Sequence, residues 1–306
     1  MKKKVFLKSV FNESRTTSRQ ESLERVGSQR FRRARGRVLK AAMAVVLVAG
    51  AVLVSEAPAS AVRPERMTTP VMAGTELIFP GTYPHPCTAG FVVKKNGFWS
   101  NLTSYRRAIR YVVTAGHCGN VGDVVDTAGG PIGKVIWKSN ISDLMMIRVL
   151  PAVARRSHCF VGRYHDVHCS VIQRSEPRAV GKVWTESLRT RGFSPVPISE
   201  FRDGVPGDVD RFCTSGATTE VNCQWSRMDV PQGQVRGVGE HGAISDTPVQ
   251  EGDSGSPVYI PFPTGIICGV VARHVVNTVT HIEYMIYVSA GEFMSETNNR
   301  YDLAPS

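Results

Sequence analysis

The chain has 306 residues, 42% hydrophobic and 21% charged, which exceeds what one small core organises and favours one large or two modest domains. Its formal net charge of +11 at pH 7 ordinarily suggests binding to nucleic acid or an anionic surface. Residues 1–61 hold 13 Lys/Arg and 4 Asp/Glu, however, which leaves only +2 on residues 62–306. The charge therefore argues against a nucleic-acid-binding protein.

A secretory leader is predicted at the N-terminus. An uncharged stretch of 14 residues, Ala41 to Val54, follows the basic segment RFRRARGRVLK and precedes SEAPASA, which ends in small residues. This three-part pattern predicts a signal peptide over residues 1–61, cleaved after Ala61, and hence a secreted protein. A membrane-spanning helix needs about 20 apolar residues, so no stable membrane span is expected after cleavage.

Short β-rich runs follow the leader. Residues 62–70 have no clear period and are interpreted as a short propeptide or disordered segment. Runs such as AIRYVVTAG, IGKVIWK and GIICGVVARHVVN, separated by Gly, Asn, Asp and Pro, are typical of an all-β sandwich or barrel. They form two blocks, residues 71–150 and 205–306. The Arg-, Ser- and Pro-rich stretch 151–204 is predicted to be a connection or insertion between them.

The segment EGDSGSPV contains a candidate nucleophile, Ser254. A serine hydroxyl becomes a good nucleophile only with a base in hydrogen-bond reach and a third group that orients the base. The chain offers His117 in VVTAGHCGN and Asp143 in SDLMMIRV, both at ends of apolar runs. The order His, Asp, Ser is that of the chymotrypsin type, whereas other serine hydrolases use other orders. On its own, GDSG has the alternative interpretation of a glycine-rich turn.

The surroundings of these residues resemble the chymotrypsin/trypsin-like serine protease family. TAGHC, DLMMIRV and GDSGSP are similar to that family's histidine, aspartate and serine motifs. VMAGTELIF with CTAGFVV, and DRFCTSGATTEVNCQW, are similar to the compact bacterial streptogrisin and α-lytic branch. The resemblance covers about residues 71–149 and 205–290.

This resemblance implies two six-stranded antiparallel Greek-key β-barrels with the active site between them. It implies that Ser254 is the nucleophile, His117 the base and then the acid, and Asp143 the orienting carboxylate. The backbone N–H groups of Gly252 and Ser254 would form the oxyanion hole, where a glycine lets the bare backbone approach the oxyanion. The implied function is a monomeric secreted endopeptidase that acts on protein or peptide substrates without metal or cofactor.

The acid next to the predicted nucleophile departs from the family in its surroundings. By the resemblance, Asp253 is buried and keeps the GDSG loop in shape. The residue after Cys213 is Thr214, where the family has a basic partner for this acid. Another group is therefore expected to satisfy Asp253.

The predicted substrate-binding strand and pocket depart from the family as well. Ala272, Arg273 and His274 stand where the family has a serine, an aromatic residue or glycine, and a glycine; Pro248 replaces the acid of trypsin-like enzymes. Two interpretations of the basic pair are open: it obstructs the cleft or selects acidic substrates, or it faces solvent as ordinary edge-strand charge. Obstruction is the basis of an alternative function, a catalytically impaired binding protein on a protease scaffold.

All seven cysteines follow the predicted leader and so lie in the exported part of the chain. Export leads to an oxidising compartment, in which disulfides persist. The resemblance implies a bridge beside the predicted histidine, and two shorter loops can be closed by bridges of their own. For the pair in SHCFVGRYHDVHC the alternative is a Cys/His metal site. Cys268 is left as a buried free thiol. The predicted disulfides are Cys87–Cys118, Cys159–Cys169 and Cys213–Cys223.

Overall fold

A computed structural model describes residues 62–80, 85–186, 192–202, 206–207, 211–261 and 264–306. The predicted signal peptide, residues 1–61, lies outside the described residues, so its assignment stays a prediction. Within the described ranges, no helix combines the length and the apolar character needed to cross a membrane.

The described residues fold almost entirely into β-strands. In chain order these are β1 (Val71–Ala73), β2 (Glu76–Phe79), β3 (His85–Thr88), β4 (Phe91–Lys95), β5 (Arg110–Ala115), β6 (Val124–Thr127), β7 (Gly130–Lys138), β8 (Leu144–Val149), β9 (Ala152–Val161), β10 (Val167–Glu176), β11 (Ala179–Glu186), β12 (Phe193–Phe201), β13 (Phe212–Gly216), β14 (Glu220–Met228), β15 (Glu240–Ile244), β16 (Pro257–Ile260), β17 (Gly265–Val276), β18 (Glu283–Ser289) and β19 (Tyr301–Leu303). Two short α-helices, α1 (Ser104–Ala108) and α2 (Ala290–Glu296), and the 3-10 helices Pro64–Met67, Trp99–Asn101 and Gly116–Cys118 complete the list.

The second half of the chain contains a closed barrel. Each strand of the cycle β13, β14, β15, β18, β17, β16 is hydrogen-bonded to the next, and β16 returns to β13. All six pairings are antiparallel. A closed ring leaves no unpaired sheet edge where its strands pair.

The first half forms a sheet that stays open among the described residues. Its order is β19, β4, β5, β8, β7, β6, β2, β3, and its described pairings do not join the two outer strands. The predicted all-β class with two barrel-like halves is confirmed, with the difference that only the second ring is closed by hydrogen bonds in the described part. Strand β8 lies between β5 and β7, and this central position explains why all of its residues except Arg148 are buried.

The stretch predicted to connect the two halves contains strands of its own. Strands β11 and β12 form a hairpin that extends the second sheet through parallel pairings of β1 with β11 and of β12 with β17. Strands β9 and β10 pair over ten residues each as a separate ribbon whose side chains are mostly exposed. The fold thus includes two parallel pairings that a purely antiparallel prediction does not contain.

One core joins the two halves. Phe91, Val113 and Leu144 of the first sheet belong to the same buried cluster as Val270 and Val288 of the barrel. Because apolar side chains from both sheets exclude water together, residues at the ends of β5, β8 and β16 are held in fixed relative positions.

All three predicted disulfides are present: Cys87–Cys118, Cys159–Cys169 and Cys213–Cys223. Cys268 is buried and takes no part in these three disulfides, as the sequence predicts. The interpretation of the pair in the β9–β10 ribbon as a disulfide is therefore confirmed over a metal site, because oxidised sulfurs offer no thiolate to a metal ion.

The Cys87–Cys118 bridge closes 31 residues within the buried core of the first half. Replacing both cysteines by alanine is expected to lower the free energy of unfolding by about 3–4 kcal/mol, because the unfolded chain regains loop entropy. Urea titration followed by tryptophan fluorescence measures this difference. The matched control is the double replacement of Cys159 and Cys169, which lie on an exposed ribbon and should leave the main transition nearly unchanged. Equal effects of the two replacements would contradict the prediction.

Candidate active site

His117 and Asp143 are brought together by two neighbouring strands. Ala115, the last residue of β5, pairs with Leu144, the first residue of β8. His117 follows β5 in the 3-10 helix Gly116–Cys118, and Asp143 immediately precedes β8. Because antiparallel strands place the end of one beside the start of the next, the two side chains meet at one edge of the sheet.

The Asp143 carboxylate fixes His117 through two hydrogen bonds. Its Oδ1 accepts from the His117 backbone N–H at 2.8 Å, and its Oδ2 lies 2.8 Å from His117 Nδ1. A carboxylate can only accept, so Nδ1 is the protonated ring nitrogen and Nε2 is left as an acceptor. Both of the hydrogen bonds that the Asp143 carboxylate accepts within the described residues thus come from His117.

Ser254 approaches from the loop between β15 and β16. Its Oγ lies 2.9 Å from His117 Nε2, the ring nitrogen free to accept the hydroxyl proton. The Thr88 backbone N–H donates to the Ser254 carbonyl at 2.7 Å, which fixes the serine against β3 of the first half. The side chain of His117 is 48% exposed, so a substrate can reach the line of three residues from solvent.

Two glycines flank Ser254 because no other residue fits. Gly252 and Gly255 have φ values of +96° and +89°, in the region that side chains disfavour. A Cβ on Gly252 would lie 2.4 Å from Thr218 Oγ1, and one on Gly255 would lie 2.0 Å from Thr114 Oγ1. The loop therefore depends on glycine at both positions.

Asp253 is fully buried beneath this loop and is satisfied by backbone groups. Its Oδ1 accepts from the N–H groups of Thr218 (2.9 Å) and Thr219 (3.1 Å), and its Oδ2 accepts from that of Gln250 (2.9 Å). These three donors answer the expectation that another group replaces the missing basic partner. They also tie the loop to the turn between β13 and β14.

Two of the five backbone N–H groups of residues Gly252–Ser256 remain available. The N–H groups of Asp253, Gly255 and Ser256 donate to carbonyl oxygens of the protein. Among the described residues, those of Gly252 and Ser254 take part in no intramolecular hydrogen bond. The Thr218 hydroxyl donates to the Glu251 carbonyl at 2.8 Å and so holds the peptide group that carries the Gly252 N–H, and the Thr88 side chain donates to the next carbonyl, that of Gly252, at 2.7 Å.

Arg273 is held within the protein and does not face solvent freely. Its guanidinium donates to Glu240 Oε1 at 2.5 Å and Oε2 at 2.8 Å, and to the Gln234 carbonyl at 2.7 Å. The Glu240 side chain is only 1% exposed. Of the two interpretations of the basic pair, solvent-facing charge is wrong for Arg273, which fastens the segment before β15. His274 lies 3.1 Å from Glu283 Oε2 and is part-exposed.

A cavity of about 490 Å³ opens beside the histidine. Its wall is formed by His117, Asp143, Ser142, Arg236 and Arg273, among others. The other predicted pocket residues do not line it. Ala272 is fully buried, Pro248 lies half-buried in the loop between β15 and β16, and His274 faces Glu283.

Breaking the Arg273–Glu240 pair is expected to be costly. Burial alone would raise the pKa of Glu240, but the hydrogen bonds and charge of Arg273 and two backbone donors outweigh it and lower the pKa. Arg273→Ala leaves a buried carboxylate without its charged partner, with only backbone N–H groups as donors, and we expect a loss of about 3 kcal/mol in the free energy of unfolding. The pair stabilises the fold above the unfolded-state pKa of glutamate, about 4.3, and its contribution is lost as pH falls through the lowered folded-state pKa.

Urea titrations at pH 7 and pH 3 measure both effects. The control is Glu240→Gln with Arg273→Ala in one chain, which removes the buried charge and should recover part of the loss at pH 7. A loss as large at pH 3 as at pH 7 would contradict this account.

Several residues that build the site carry no signal in the sequence. Thr88 contacts both Gly252 and Ser254, although its segment CTAGFVV indicates no such role, and Glu240 pairs with Arg273 from outside any recognisable motif. Cys87 and Cys118 also lie within ligand distance of His117, but their sulfurs are joined in a disulfide. They are therefore not available as thiolate ligands.

The chain is similar in structure to solved proteases. It aligns with Protease A of Thermobifida fusca at 18% identity and a TM-score of 0.48, over 77% of this chain and 98% of that one. For Nocardiopsis protease the values are 18% and 0.48, over 76% and 98%. For a glutamic acid specific serine protease they are 20% and 0.47, over 76% and 100%. No family model and no curated protein matches the sequence.

Proposed function

We propose that the protein is a secreted serine endopeptidase that hydrolyses peptide bonds through an acyl-enzyme. The observation that supports this most directly is the position of His117, whose ring nitrogens lie 2.8 Å from Asp143 Oδ2 and 2.9 Å from Ser254 Oγ. These are the two contacts that a histidine needs in order to take the serine proton while its tautomer stays fixed.

In the proposed reaction, Ser254 Oγ attacks the carbonyl carbon of the scissile peptide and transfers its proton to His117 Nε2. Asp143 stabilises the imidazolium that forms. His117 then gives this proton to the leaving amine, the C–N bond breaks, and the acyl group stays on Ser254. A water molecule, deprotonated by His117, attacks the ester and releases the acid product, which restores the free serine.

The negative oxygen of each tetrahedral intermediate needs donors that are already in place. The N–H groups of Gly252 and Ser254 are the candidates, since those of Asp253, Gly255 and Ser256 donate to carbonyl oxygens of the protein. Such preorganised donors stabilise charge that develops only in the transition state.

Peptides are the substrates that the surroundings of the site fit best. Among the described residues, the part of β17 from Arg273 to Val276 pairs only with β18, which leaves one edge with unpaired backbone groups. An extended peptide can add to such an edge through main-chain hydrogen bonds. The engagement of Arg273 with Glu240 and Gln234 gives no support to the alternative of an obstructed, catalytically impaired scaffold.

Secretion is part of the proposal. Three disulfides in the described residues suit an oxidising compartment. They agree with the leader that the sequence predicts at residues 1–61.

The test is labelling of purified residues 62–306 with a fluorophosphonate probe, followed by peptide mapping. We expect one adduct, on Ser254, because only a serine activated by its base reacts at a useful rate. A parallel sample unfolded in urea and reduced controls for nonspecific reaction. Absence of labelling in a folded, disulfide-intact sample would overturn the proposal.

A further inference from the structure

The segment just before β1 inserts a charged side chain into the protein. Residues Pro64–Met67 form a 3-10 helix, and Arg66 within it is only 1% exposed. The Arg66 guanidinium lies 5.4 Å from the ring centre of Phe193 and 5.9 Å from that of Trp184. The sequence gives no reason to expect this, because residues 62–70 have no apolar period.

Two arginines of this segment hold the two ends of one turn. Arg66 Nη1 donates to the carbonyl oxygen of Gly216, the last residue of β13, at 2.7 Å. Arg63 Nε donates to the carboxylate of Glu220, the first residue of β14, at 2.5 Å. Glu220 has a φ of +60°, a strained value for a residue with a side chain. Hydrogen bonds from the segment before β1 therefore hold both ends of the turn Gly216–Glu220.

The same turn is hydrogen-bonded to the loop between β15 and β16 that carries Ser254. The N–H groups of Thr218 and Thr219 donate to Asp253, and the Thr218 hydroxyl donates to the Glu251 carbonyl at 2.8 Å. A Cβ on Gly216 would lie 2.0 Å from Asp253 Oδ1, so the turn and the buried acid are in direct contact. A continuous series of contacts thus runs from the arginines through the turn to the residue that precedes Ser254.

The turn reaches the loop by a second route. The N–H of Ala217 donates to Thr88 Oγ1 at 3.0 Å, and Thr88 Oγ1 donates to the Gly252 carbonyl at 2.7 Å. This carbonyl belongs to the peptide group that begins at Gly252, next to the first proposed oxyanion donor. A displaced turn would therefore move both the acid and the donor.

Burial of Arg66 is expensive for the fold. Desolvation lowers its pKa to about 10, so it stays protonated at neutral pH, and the negative charges of Glu220 and Asp253 favour the charged form. Its Nε and Nη2 are buried without a partner among the described residues. A buried, incompletely paired guanidinium is a poor choice for stability alone, since an apolar side chain would fill the same space at lower cost.

We propose that residues 63–66 are a permanent part of the active protein, and that Arg66 is a positioning residue that sets the Gly252–Ser254 loop through the Gly216–Glu220 turn. This inference rests on the proposed protease function. It assigns to this segment a role opposite to that of a removable propeptide: cleavage after Ala61 keeps Arg66, whereas cleavage before Val71 removes it. The chain that begins at Val62 is then the active form of the protein.

The experiment compares residues 62–306 with residues 71–306 and with the variants Arg66→Met and Arg66→Lys. Methionine keeps an apolar stem against Trp184 and Phe193 but removes the charge and its donors. We measure the rate of fluorophosphonate labelling of Ser254 and the hydrogen exchange of the amides of residues 216–219 and 252–254. Tryptophan fluorescence and urea titration show which samples are folded.

We expect labelling to be at least tenfold slower in Arg66→Met and in residues 71–306, with faster exchange in both amide groups, because displaced oxyanion donors cost about 10²-fold or more in rate. Arg66→Lys should lie between, since it keeps the charge. For peptide hydrolysis, kcat should fall while KM changes little, which a loss of packing alone would not produce. The matched control, Arg107→Met, makes the same replacement at an exposed arginine of α1 whose side chain makes no hydrogen bond among the described residues, and it should stay within threefold of the unchanged protein.

The labelling and exchange rates test the inference and the proposed function separately. Labelling and exchange of folded Arg66→Met, or of residues 71–306, at the unchanged rates would overturn the inference while the proposed function stands. Absence of labelling in residues 62–306 would instead overturn the proposed function. The exchange of residues 252–254 still tests the positioning role in that case, and unchanged exchange in Arg66→Met would overturn that role too.

Discussion

Ser254→Ala is expected to lower kcat/KM for peptide hydrolysis by about 10⁶-fold, the size of effect found when the triad serine is removed from a serine protease. The Ser254 hydroxyl is the only group that His117 Nε2 contacts among the described hydrogen bonds, so no neighbouring hydroxyl is placed to replace it. Initial rates on casein and on a short fluorogenic peptide measure the loss. Removing one Oγ atom leaves the loop's backbone contacts unchanged, so the urea midpoint should hardly move.

Ser226→Ala is the matched control for this substitution. Ser226 is an exposed residue of β14, and its hydroxyl makes no hydrogen bond among the described residues. Its replacement should leave hydrolysis unchanged. If Ser254→Ala hydrolysed peptides as fast as Ser226→Ala, the nucleophile would not be Ser254 and the proposed mechanism would fall.

Asp143→Asn is expected to lower kcat by about 10⁴-fold while the fold is kept. The amide is nearly isosteric with the carboxylate, but its NH₂ group cannot accept the Nδ1 proton of His117. The imidazole then favours the other tautomer, with a proton on Nε2, where it can no longer accept from Ser254. Steady-state kinetics and the fluorophosphonate labelling rate should show the same loss, because both need an activated serine.

Asp246→Asn controls for the loss of one acidic residue. Asp246 is exposed, in the segment after β15, and its neutralisation should change kcat by less than twofold. Crystals or NMR spectra of Asp143→Asn should show the unchanged position of His117, since the His117 backbone N–H can still donate to the remaining side-chain oxygen. Full activity in Asp143→Asn would show that His117 is oriented by another group.

The residues proposed as catalytic could be selected from the sequence because each lies in a short local motif. His117 and Asp143 stand at the ends of apolar runs, and such runs become β5 and β8 with little ambiguity. The two glycines of GDSG predict a turn with positive φ values, and Gly252 and Gly255 take positive φ in the structure. A short motif can be recognised when the residues that do the chemistry also shape the turn that presents them.

The surroundings of Arg273 and His274 on β17 could not be predicted from the sequence in this way. The sequence shows that Arg273 and His274 replace small residues, but the direction of each side chain depends on which charged group lies across the strand. Glu240 lies 33 residues before Arg273 and is brought opposite it by the pairing of β15 with β18. Nothing in either segment alone indicates that the two will meet.

The segment before β1 shows the largest gap between sequence and structure. A stretch without apolar period is normally left outside the fold, and the sequence accordingly predicts a propeptide or disorder for residues 62–70. In the structure Arg66 is among the largest fully buried side chains, and it reaches a carbonyl 150 residues away. Its place depends on Phe193, Trp184 and the Gly216–Glu220 turn, which assemble only when β1, β11 and β12 pair.

The sequence by itself determined the all-β class, the three disulfides and the three residues proposed to carry catalysis. The class follows from short β-rich runs between turn residues, and the two short disulfide loops follow from cysteine spacing in an oxidising compartment. The Cys87–Cys118 bridge and the roles of the three residues are what the resemblance to the chymotrypsin/trypsin-like family implies. Only the tertiary structure decided that one ring closes and the other stays open, that Asp253 is satisfied by backbone amides, and that Arg66 and Arg273 are engaged. These outcomes depend on which strands pair across long stretches of chain, because the free energy of a buried charge is set by the groups that surround it in space and not by its neighbours in sequence.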